Sequence, residues 1–399
     1  MRIKTLAALL WLVAVGVWLG AIAYQWRHMQ PQTSAAVELT FFHKANIWES
    51  YAGYRPFLFG VFLDVLVGMV LWRLKDAFWA PARAAPGVGR ALLAGPGLAL
   101  LFVGFLELSA RHYDNLPHGD YRVDPILGWS LAPRPDVNRF GLRGPEVAEK
   151  KEANEVRILC LGDSCTYGSG TIAEHSWPAR LQAHLQALRP ALKITVLNGG
   201  VPGYNSAHGI HALRRYLFLK PDLVIWSFTA NDAYEMPYQP PEQNDTPLLG
   251  LLRRSHLYYY LRVEVFHARP EQPGSMFDHA NVFDGAGRAA LCQKIAGEAG
   301  ARLLLLTLPD ADLDGKNVPP SPYMSRDEIT LRVKREVRDR QEAKAREMGI
   351  PTFNPIASFQ QKDMLGLFIN DHYHFNEAGG DLLGQLLAEH LTRSSLLDR

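Results

Sequence analysis

The chain begins with a long stretch in which no charge interrupts the apolar residues. Residues 5–24 carry no charged side chain, and about 20 apolar residues at 1.5 Å each are enough to cross a bilayer core of roughly 30 Å. Two further apolar runs follow at 56–72 and 91–110. The pattern predicts a membrane region over residues 1–112 with up to three transmembrane helices. Asp64, inside the second run, would either serve a function there or pair with a neighbouring helix or water.

The first apolar run is open to two interpretations. Arg2 and Lys4 precede it and Ala21-Ile22-Ala23 near its end is typical of a cleavage site, as in a secretory signal. The run is longer than the apolar core of a signal, which spans about 7 to 15 residues. We therefore expect an uncleaved anchor, and cleavage is the alternative.

Basic residues near the ends of the runs predict the orientation, because they favour the cytoplasmic side. The loop between the second and third runs holds four of them: Arg73, Lys75, Arg83 and Arg90. The loop after the first run holds fewer: Arg27, Lys44 and, at its edge, Arg55. We expect an inner-membrane protein whose chain after residue 110 lies on the periplasmic or extracytoplasmic side.

After residue 112 the pattern changes twice. Residues 113–154 are rich in proline, glycine and charge, which indicates a connector with little regular structure. From residue 155 to 399, short apolar runs end in glycine, asparagine or proline and alternate with segments of helical periodicity. The apolar runs are Val156–Leu161, Lys193–Leu197, Asp222–Trp226 and Arg302–Leu308, and the helical segments are Trp177–Leu188, His208–Leu219, Arg288–Ala299 and Leu382–Leu391. This alternation predicts an α/β domain with a parallel sheet covered by helices on both faces.

Composition excludes several classes of protein. The 42 basic and 40 acidic residues give a formal charge of +2, so no charge excess indicates a nucleic-acid partner. Three cysteines, Cys160, Cys165 and Cys292, form no CxxC pair, which argues against a disulfide framework or a zinc ribbon. The sequence contains no cofactor motif, and we expect neither a cofactor nor a metal.

Polar residues that could act in catalysis or ligand binding lie where the predicted strands end. Ser164, Gly203 and Asn231 each follow an apolar run closely, and Asp371 and His374 precede the last helical segment. Ligands of parallel sheets bind at the carboxyl ends of the strands. Five groups would therefore lie together at this edge of the sheet: a hydroxyl, a backbone amide, a carboxamide, a carboxylate and an imidazole.

These residues stand in four blocks that resemble those of the SGNH (GDSL) hydrolase superfamily. The blocks are Gly162-Asp163-Ser164, Gly203 in the stretch 198–205, Asn231-Asp232, and Asp371-x-x-His374. The resemblance covers about residues 156 to 395 and implies a three-layer α/β/α, flavodoxin-like fold. A stretch in the connector, 138–144, also looks like one that precedes the nucleophile strand in many membrane-linked bacterial members.

Acyl transfer requires a hydroxyl activated by a neighbouring base, and His374 is the candidate base for Ser164. The resemblance implies that Asp371 orients the imidazole. It also implies an oxyanion hole made of the backbone N–H groups of Ser164 and Gly203 and the side chain of Asn231. The Gly-x-Ser-x-Gly elbow of the other large hydrolase class is absent around Ser164.

Simpler interpretations exist for the same residues. Asp163 or Ser164 could only cap a helix, Gly203 could be a turn glycine and Asn231 a cap. His372, between Asp371 and His374, is expected at the surface or rim rather than as a metal ligand. Cys165 departs from the bulkier residue of many members, and we interpret it as a packed thiol.

The domain also contains two long segments outside these blocks. The connection from Ala233 to Ala290 is long enough for a lid or binding loop, and we expect it to shape substrate access. The run Arg332–Arg346 alternates in charge, which is typical of a solvated helix face.

The sequence therefore predicts a membrane-anchored serine esterase that forms an acyl-enzyme on Ser164. Its partners would be the membrane and an ester-bearing small molecule, glycan or lipid of the cell envelope, carrying acetyl or other acyl groups, with envelope-assembly proteins as further candidates. One alternative is an O-acyltransferase that modifies an exopolysaccharide or envelope glycan. Another is a catalytically silent glycan-binding subunit, against which the intact Ser164, Asp371 and His374 argue.

Overall fold

The computed structural model describes residues 126–228, 230–233, 255–260, 285–316 and 328–397, together with 120–124, 318, 319 and isolated positions at 15, 16, 18, 19, 68, 103, 104, 106–108, 111 and 252. The chain divides into two compact units, one of residues 1–125 with 246–268 and one of residues 126–245 with 269–399. Most of the three apolar runs, Asp64, and most of the connection 233–290 lie outside the described residues. Among the positions that are described, no helix is both long and apolar enough to cross a bilayer.

Within the first unit, one described contact fixes a short helix. Strand β1 spans Tyr121–Asp124, and the helix that we number α4 in chain order spans His256–Tyr260. The carboxylate of Glu107 accepts hydrogen bonds from the Ser255 hydroxyl at 2.6 Å and from the Leu257 amide at 3.0 Å. A carboxylate at the amino end of a helix satisfies amides that have no partner inside the helix.

The second unit contains the predicted parallel sheet. Its strands are β2 (Gly128–Leu131), β3 (Glu155–Gly162), β4 (Lys193–Asn198), β5 (Leu223–Ser227), β6 (Arg302–Leu306) and β7 (Thr352–Phe353). Five of them form one sheet in the order β4-β3-β5-β6-β7, with every pair parallel. The first strand of the sheet thus lies between the second and the third. This is the flavodoxin-like order, in which ligands bind where the order reverses, here between β3 and β5.

Helices of the second unit fall into two packed groups. They are α1 (Ser164–Tyr167), α2 (Trp177–Leu188), α3 (Ser206–Tyr216), α5 (Gly285–Glu298), α6 (Ala311–Asp314), α7 (Glu328–Glu347), α8 (Ile356–Phe359) and α9 (Glu377–Arg393). Helix α2 packs on α9, whereas α3 and α7 both pack on α5. Because crossovers between parallel strands are right-handed, the connection to β4 and the connection from β4 to β5 lie on opposite faces.

The central strands are buried along their whole length. All eight residues of β3 and all five of β5 are buried, as expected for strands covered on both faces. Leu181 and Leu185 of α2 and Leu387 and Leu391 of α9 are also fully buried. The three- and four-residue spacing in the sequence thus marks the faces that cover the sheet.

Residues 126–154 belong to the compact unit, although their proline and glycine content indicated a connector. They contain only one short strand, β2, and isolated bridges that include Arg143 to Asn198 at the end of β4. Arg157 of β3 donates hydrogen bonds to the carbonyls of Ala148 at 2.7 Å and Glu149 at 3.0 Å. This segment therefore contacts the sheet at the amino end of β3 and at the carboxyl end of β4.

Candidate active site

Ser164 is the first residue of α1, directly after the central strand β3. Asp163 caps this helix, since its carboxylate Oδ1 accepts a hydrogen bond from the Cys165 amide at 2.9 Å. The turn needs a glycine at 162, because a Cβ there would lie 2.0 Å from Thr166 Oγ1. The fold thus presents the Ser164 hydroxyl at the carboxyl end of β3.

His374 meets Ser164 across 210 residues of sequence, and Asp371 contacts His374 from the other side of its ring. Nε2 of His374 lies 2.7 Å from Ser164 Oγ, and its Nδ1 lies 2.5 Å from Asp371 Oδ2. When Nδ1–H donates to the carboxylate, the bare Nε2 accepts from the serine hydroxyl, which is the tautomer that a general base requires. The structure therefore brings together the three residues predicted as nucleophile, base and orienting acid.

The carboxylate of Asp371 is held by the backbone of its own loop. Its Oδ1 accepts hydrogen bonds from the amides of Tyr373 at 3.0 Å and His374 at 2.9 Å. Burial opposes ionisation, but the hydrogen bond and charge of His374 and these amides outweigh it, so the pKa of Asp371 lies below its ordinary value. Asp371 is therefore ionised at neutral pH and can stabilise an imidazolium.

Two of the three predicted oxyanion residues, Gly203 and Asn231, lie on neighbouring loops, and the third, Ser164, begins α1. Gly203 follows β4 with a left-handed φ of 83°, a conformation that favours glycine. The Asn231 side chain, 2% exposed, donates to the Tyr204 carbonyl at 2.8 Å, which ties the two loops together. No hydrogen bond in the described part of the chain uses the backbone N–H of Ser164 or Gly203.

Gly200 allows the loop of Gly203 to approach α1. A Cβ at this position would lie 2.2 Å from the Tyr167 backbone nitrogen and 2.6 Å from the Thr166 carbonyl carbon. Strand β2 holds the same loop from outside, since Trp129 Nε1 donates to the Pro202 carbonyl at 3.0 Å. Sequence reasoning singled out neither Gly200 nor Trp129 as a site residue. The close spacing of glycines after β4 was a signal for Gly200, and no local pattern marked Trp129.

Asp163 contributes a second buried carboxylate beside the serine. Its Oδ2 accepts a hydrogen bond from the Tyr373 hydroxyl at 3.2 Å, and its side chain is wholly buried. Burial raises the pKa of Asp163 to about 6, although the Cys165 amide, the charge of His374 and the Tyr373 hydroxyl act in the opposite direction. The capping interpretation of Asp163 is thus confirmed as structure, while its contact with Tyr373 was not foreseen.

A second histidine–aspartate pair lies beside the first. His372 Nδ1 is 3.0 Å from Asp312 Oδ1, and the His372 backbone adopts a left-handed φ of 65°. Its carbonyl accepts a hydrogen bond from the Ala311 amide at 3.0 Å. His372 was predicted at the surface or the rim; it is buried in the loop that carries His374 and bound to α6.

Cys165 is a packed thiol next to the serine. Its Sγ lies 3.6 Å from the Tyr373 carbonyl, and burial raises the pKa of the thiol far above its ordinary value. The thiolate required for nucleophilic attack is therefore disfavoured. Among the residues that the structure describes, no three His, Cys, Asp or Glu side chains are grouped as metal ligands.

This geometry defines a class of enzyme, the serine hydrolases. A family model agrees and is more specific, because the GDSL-like lipase/acylhydrolase family matches residues 160–382, more than half of the chain. The protein therefore belongs to that family. No curated protein matches the chain.

Several solved structures are similar to the chain at low identity. A psychrotrophic esterase, EstA, from Pseudoalteromonas sp. is 17% identical, with 59% of this chain and 97% of the esterase covered and a TM-score of 0.37. A GDSL-like lipase from Bacteroides thetaiotaomicron is 15% identical, with 62% and 92% covered and a TM-score of 0.38. A member of the lipolytic G-D-S-L family from Veillonella parvula is 16% identical, with 60% and 100% covered and a TM-score of 0.37.

Proposed function

We propose that this serine hydrolase cleaves carboxylic esters of cell-envelope glycans or lipids through an acyl-enzyme on Ser164. The observation that carries the proposal is the continuous hydrogen-bond chain from Ser164 Oγ to His374 Nε2 at 2.7 Å and from His374 Nδ1 to Asp371 at 2.5 Å. The acyl groups would be acetyl or longer.

In the first step, Ser164 Oγ attacks the ester carbonyl carbon while its proton moves to His374 Nε2. The carbonyl oxygen becomes an oxyanion, and the backbone N–H groups of Ser164 and Gly203 with the Asn231 carboxamide would receive it. Each such donor typically contributes about 10²- to 10³-fold in rate. Collapse of the tetrahedral intermediate breaks the ester bond, and the leaving alkoxide takes the proton from His374.

In the second step, water attacks the acyl-enzyme and gives a proton to His374. The new tetrahedral intermediate releases the carboxylic acid, and the proton returns to Ser164 Oγ. Asp371 keeps the imidazole in the tautomer that accepts at Nε2 and stabilises the imidazolium in both steps. A glycan hydroxyl in place of water would give O-acyl transfer by the same chemistry.

The natural setting is part of the proposal. The uncharged run 5–24 and the basic residues between the second and third apolar runs support an inner-membrane anchor, with the three-layer hydrolase domain on the periplasmic or extracytoplasmic side. An envelope substrate follows from that placement. A phosphatase reporter fused after residue 399 should be active in the anchored protein, and an inactive reporter with a bright cytoplasmic fluorescent fusion would contradict this orientation.

The chemistry is tested with the full chain purified in detergent. We expect turnover of nitrophenyl acetate and butyrate, and a fluorophosphonate adduct that mass spectrometry locates on Ser164. Ser164→Ala should lose both, whereas Cys165→Ala, at the neighbouring buried residue, should keep both. Adding an acetylated oligosaccharide and a free one separates hydrolysis from transfer by the mass of the products. A folded wild-type protein with neither turnover nor adduct would refute the proposal.

A further inference from the structure

A buried arginine from outside the sheet reaches the nucleophile helix. Arg143 lies in the segment that precedes β3, and its side chain is 6% exposed. Its Nη1 donates to the carbonyls of Tyr167 and Gly168, each at 2.8 Å, and its Nη2 donates to the carbonyl of Thr171 at 2.7 Å. One guanidinium thus binds three carbonyls at the carboxyl end of α1 and just beyond it.

The Tyr167 carbonyl ends the helix and needs a donor from outside it, whereas the Gly168 carbonyl also accepts from the Thr171 amide at 3.1 Å. Helix α1 has only four residues, so its terminal carbonyls cannot all be satisfied inside the helix. A helix this short has little stability of its own. The planar guanidinium also lies over the Tyr167 ring at 4.0 Å, where a cation interacts favourably with the aromatic face. Arg143 therefore holds the far end of the helix that begins with Ser164.

The same residue is joined to the start of the Gly203 loop. The Arg143 amide donates to the Asn198 carbonyl at 3.0 Å. The Asn198 side chain accepts from the Gly200 amide at 3.0 Å and donates to the Tyr167 carbonyl at 3.3 Å. Arg143 thus contacts two of the three elements that would supply the oxyanion donors, the helix of Ser164 and the start of the Gly203 loop.

Asp136 fixes the guanidinium from the solvent side. Its Oδ2 lies 3.2 Å from Arg143 Nε, and its side chain is 34% exposed. The guanidinium of Arg143 therefore has partners on two sides, since Nη1 and Nη2 face carbonyls and Nε faces a carboxylate. An arginine can satisfy this arrangement, whereas the single ammonium group of a lysine cannot.

We propose that Arg143 is a positioning residue for acyl transfer, which sets the distance between the Ser164 hydroxyl and the oxyanion donors by holding the end of α1 against the Gly203 loop. The inference rests on the proposed function of Ser164. Its chemical basis is that misplacement of a reacting group by about 1 Å can cost roughly 10²-fold in rate.

The chain offers a matched control in Arg157. This arginine is also buried, and it also donates to three backbone carbonyls, those of Ala148, Glu149 and Leu219, and pairs with a carboxylate, Glu155 at 2.8 Å. It lies near the amino end of β3, whereas Ser164 follows the carboxyl end of that strand. Replacing Arg157 should therefore disturb stability without moving the site.

The experiment compares Arg143→Lys and Arg157→Lys in the full chain. Nitrophenyl acetate turnover and the rate of fluorophosphonate labelling of Ser164 are measured at a temperature where circular dichroism shows both variants folded. For Arg143→Lys we expect kcat and the labelling rate to fall about 10- to 100-fold, with KM nearly unchanged, because the loss affects the transition state rather than ground-state binding. For Arg157→Lys we expect a lower melting temperature and a kcat near that of the wild type.

Asp136→Asn keeps the test decisive if Arg143→Lys does not fold. It removes the negative charge that pairs with the guanidinium, while the carboxamide oxygen can still accept from Nε, and it should lower kcat roughly 3- to 10-fold with KM nearly unchanged. Equal kcat in wild type and Arg143→Lys, or an equal loss in the Arg143 and Arg157 variants, would overturn the inference while leaving the function of Ser164 intact. A wild type without adduct or turnover would overturn both.

Discussion

At the scale of single residues, the proposed base and the carboxylate that orients it both lie in one short loop. Asp371 accepts from two amides of its own loop and from the His374 ring. The same loop carries a second pair, His372 with Asp312. Two imidazoles that each bind a carboxylate thus lie two residues apart, and only His374 contacts Ser164.

This duplication gives a direct test of the assignment. Asp371→Asn should reduce kcat for nitrophenyl acetate by roughly 10³-fold or more, because an amide no longer enforces the required tautomer or stabilises the imidazolium. Asp312→Asn is the matched control and should keep most of the activity, since its partner His372 does not touch the serine. A larger loss in Asp312→Asn than in Asp371→Asn would reverse the roles of the two pairs.

Asp163 should make stability depend on pH. Its folded pKa of about 6 lies above the value of 3.8 for a free carboxyl, so between these values the folded state holds more protons and rising pH favours unfolding. Asp163→Asn removes this titration. The free energy of unfolding of the variant minus that of the wild type should therefore increase by roughly 1–3 kcal/mol as the pH rises from 4 to 7.

Urea unfolding of both proteins at pH 4, 5.5 and 7 measures this difference, and the comparison at each pH cancels the titration of the other carboxylates. A difference in free energy of unfolding that stays constant across the three pH values would show that the buried carboxyl does not titrate in this range.

At the scale of elements, the site depends on how closely a loop can approach a helix. The Gly203 loop reaches the backbone of α1 because Gly200 has no Cβ. The contact is backbone to backbone, so a side-chain rotation cannot relieve an added atom. This interface is therefore less tolerant than an ordinary core contact.

Gly200→Ala should separate the loop from α1. We expect a loss of about 2 kcal/mol or more in stability from overpacking and a fall in kcat that exceeds the loss of folded protein. Gly297→Ala is the control, because Gly297 lies in α5 with no neighbouring side chain or loop within 4 Å of its Cβ position. Alanine at this position should raise the free energy of unfolding by ~1 kcal/mol or less. Thermal unfolding and initial rates measure both effects, and full activity in Gly200→Ala would contradict the packing argument.

At the scale of the whole molecule, the strands of the sheet differ in burial and in the number of neighbouring strands. Strands β3 and β5 have a partner on each side and are buried at every residue. Strand β7 has two residues at the edge. Stability against local opening should therefore rise from β7 towards β3.

Hydrogen exchange followed by mass spectrometry tests this order. Peptides that cover 155–162 and 223–227 should exchange last, at the rate of global unfolding, and the peptide that covers 352 and 353 should exchange first among the strands. Equal exchange in β3 and β7 would mean that the sheet opens as one unit.

Much of the fold follows from the sequence because the central strands contain apolar runs, such as Ile158–Leu161 in β3 and Leu223–Trp226 in β5. The predicted helix Trp177–Leu188 ends at the same residues in the structure, and the strand that begins at Lys193 differs by one residue at its end. Strand β7 was missed, since two residues cannot show a period. Helix α7 was interpreted only as a solvated face, yet Lys334 is buried and pairs with Asp310 at 3.0 Å.

Some residues of the candidate site could likewise be predicted from the sequence, and others could not. Ser164, His374 and Asp371 were predicted because they stand in recognisable blocks at the ends of predicted elements. Arg143 and Trp129 were not predicted as site neighbours, because an arginine or tryptophan in a proline- and glycine-rich stretch gives no sign of which loop it contacts. Such contacts depend on tertiary packing between segments, and a local pattern does not encode them.

The distance of 210 residues between Ser164 and His374 also has a consequence for synthesis. A ribosome adds roughly 5–20 residues each second, so the histidine is made about 10 to 40 seconds after the serine. Strands β3, β4 and β5 are complete before that time and can already pair. In the proposed mechanism, the nascent chain carries Ser164 without its base during this interval, so newly made protein would not attack esters until its last strands and loop have been synthesised.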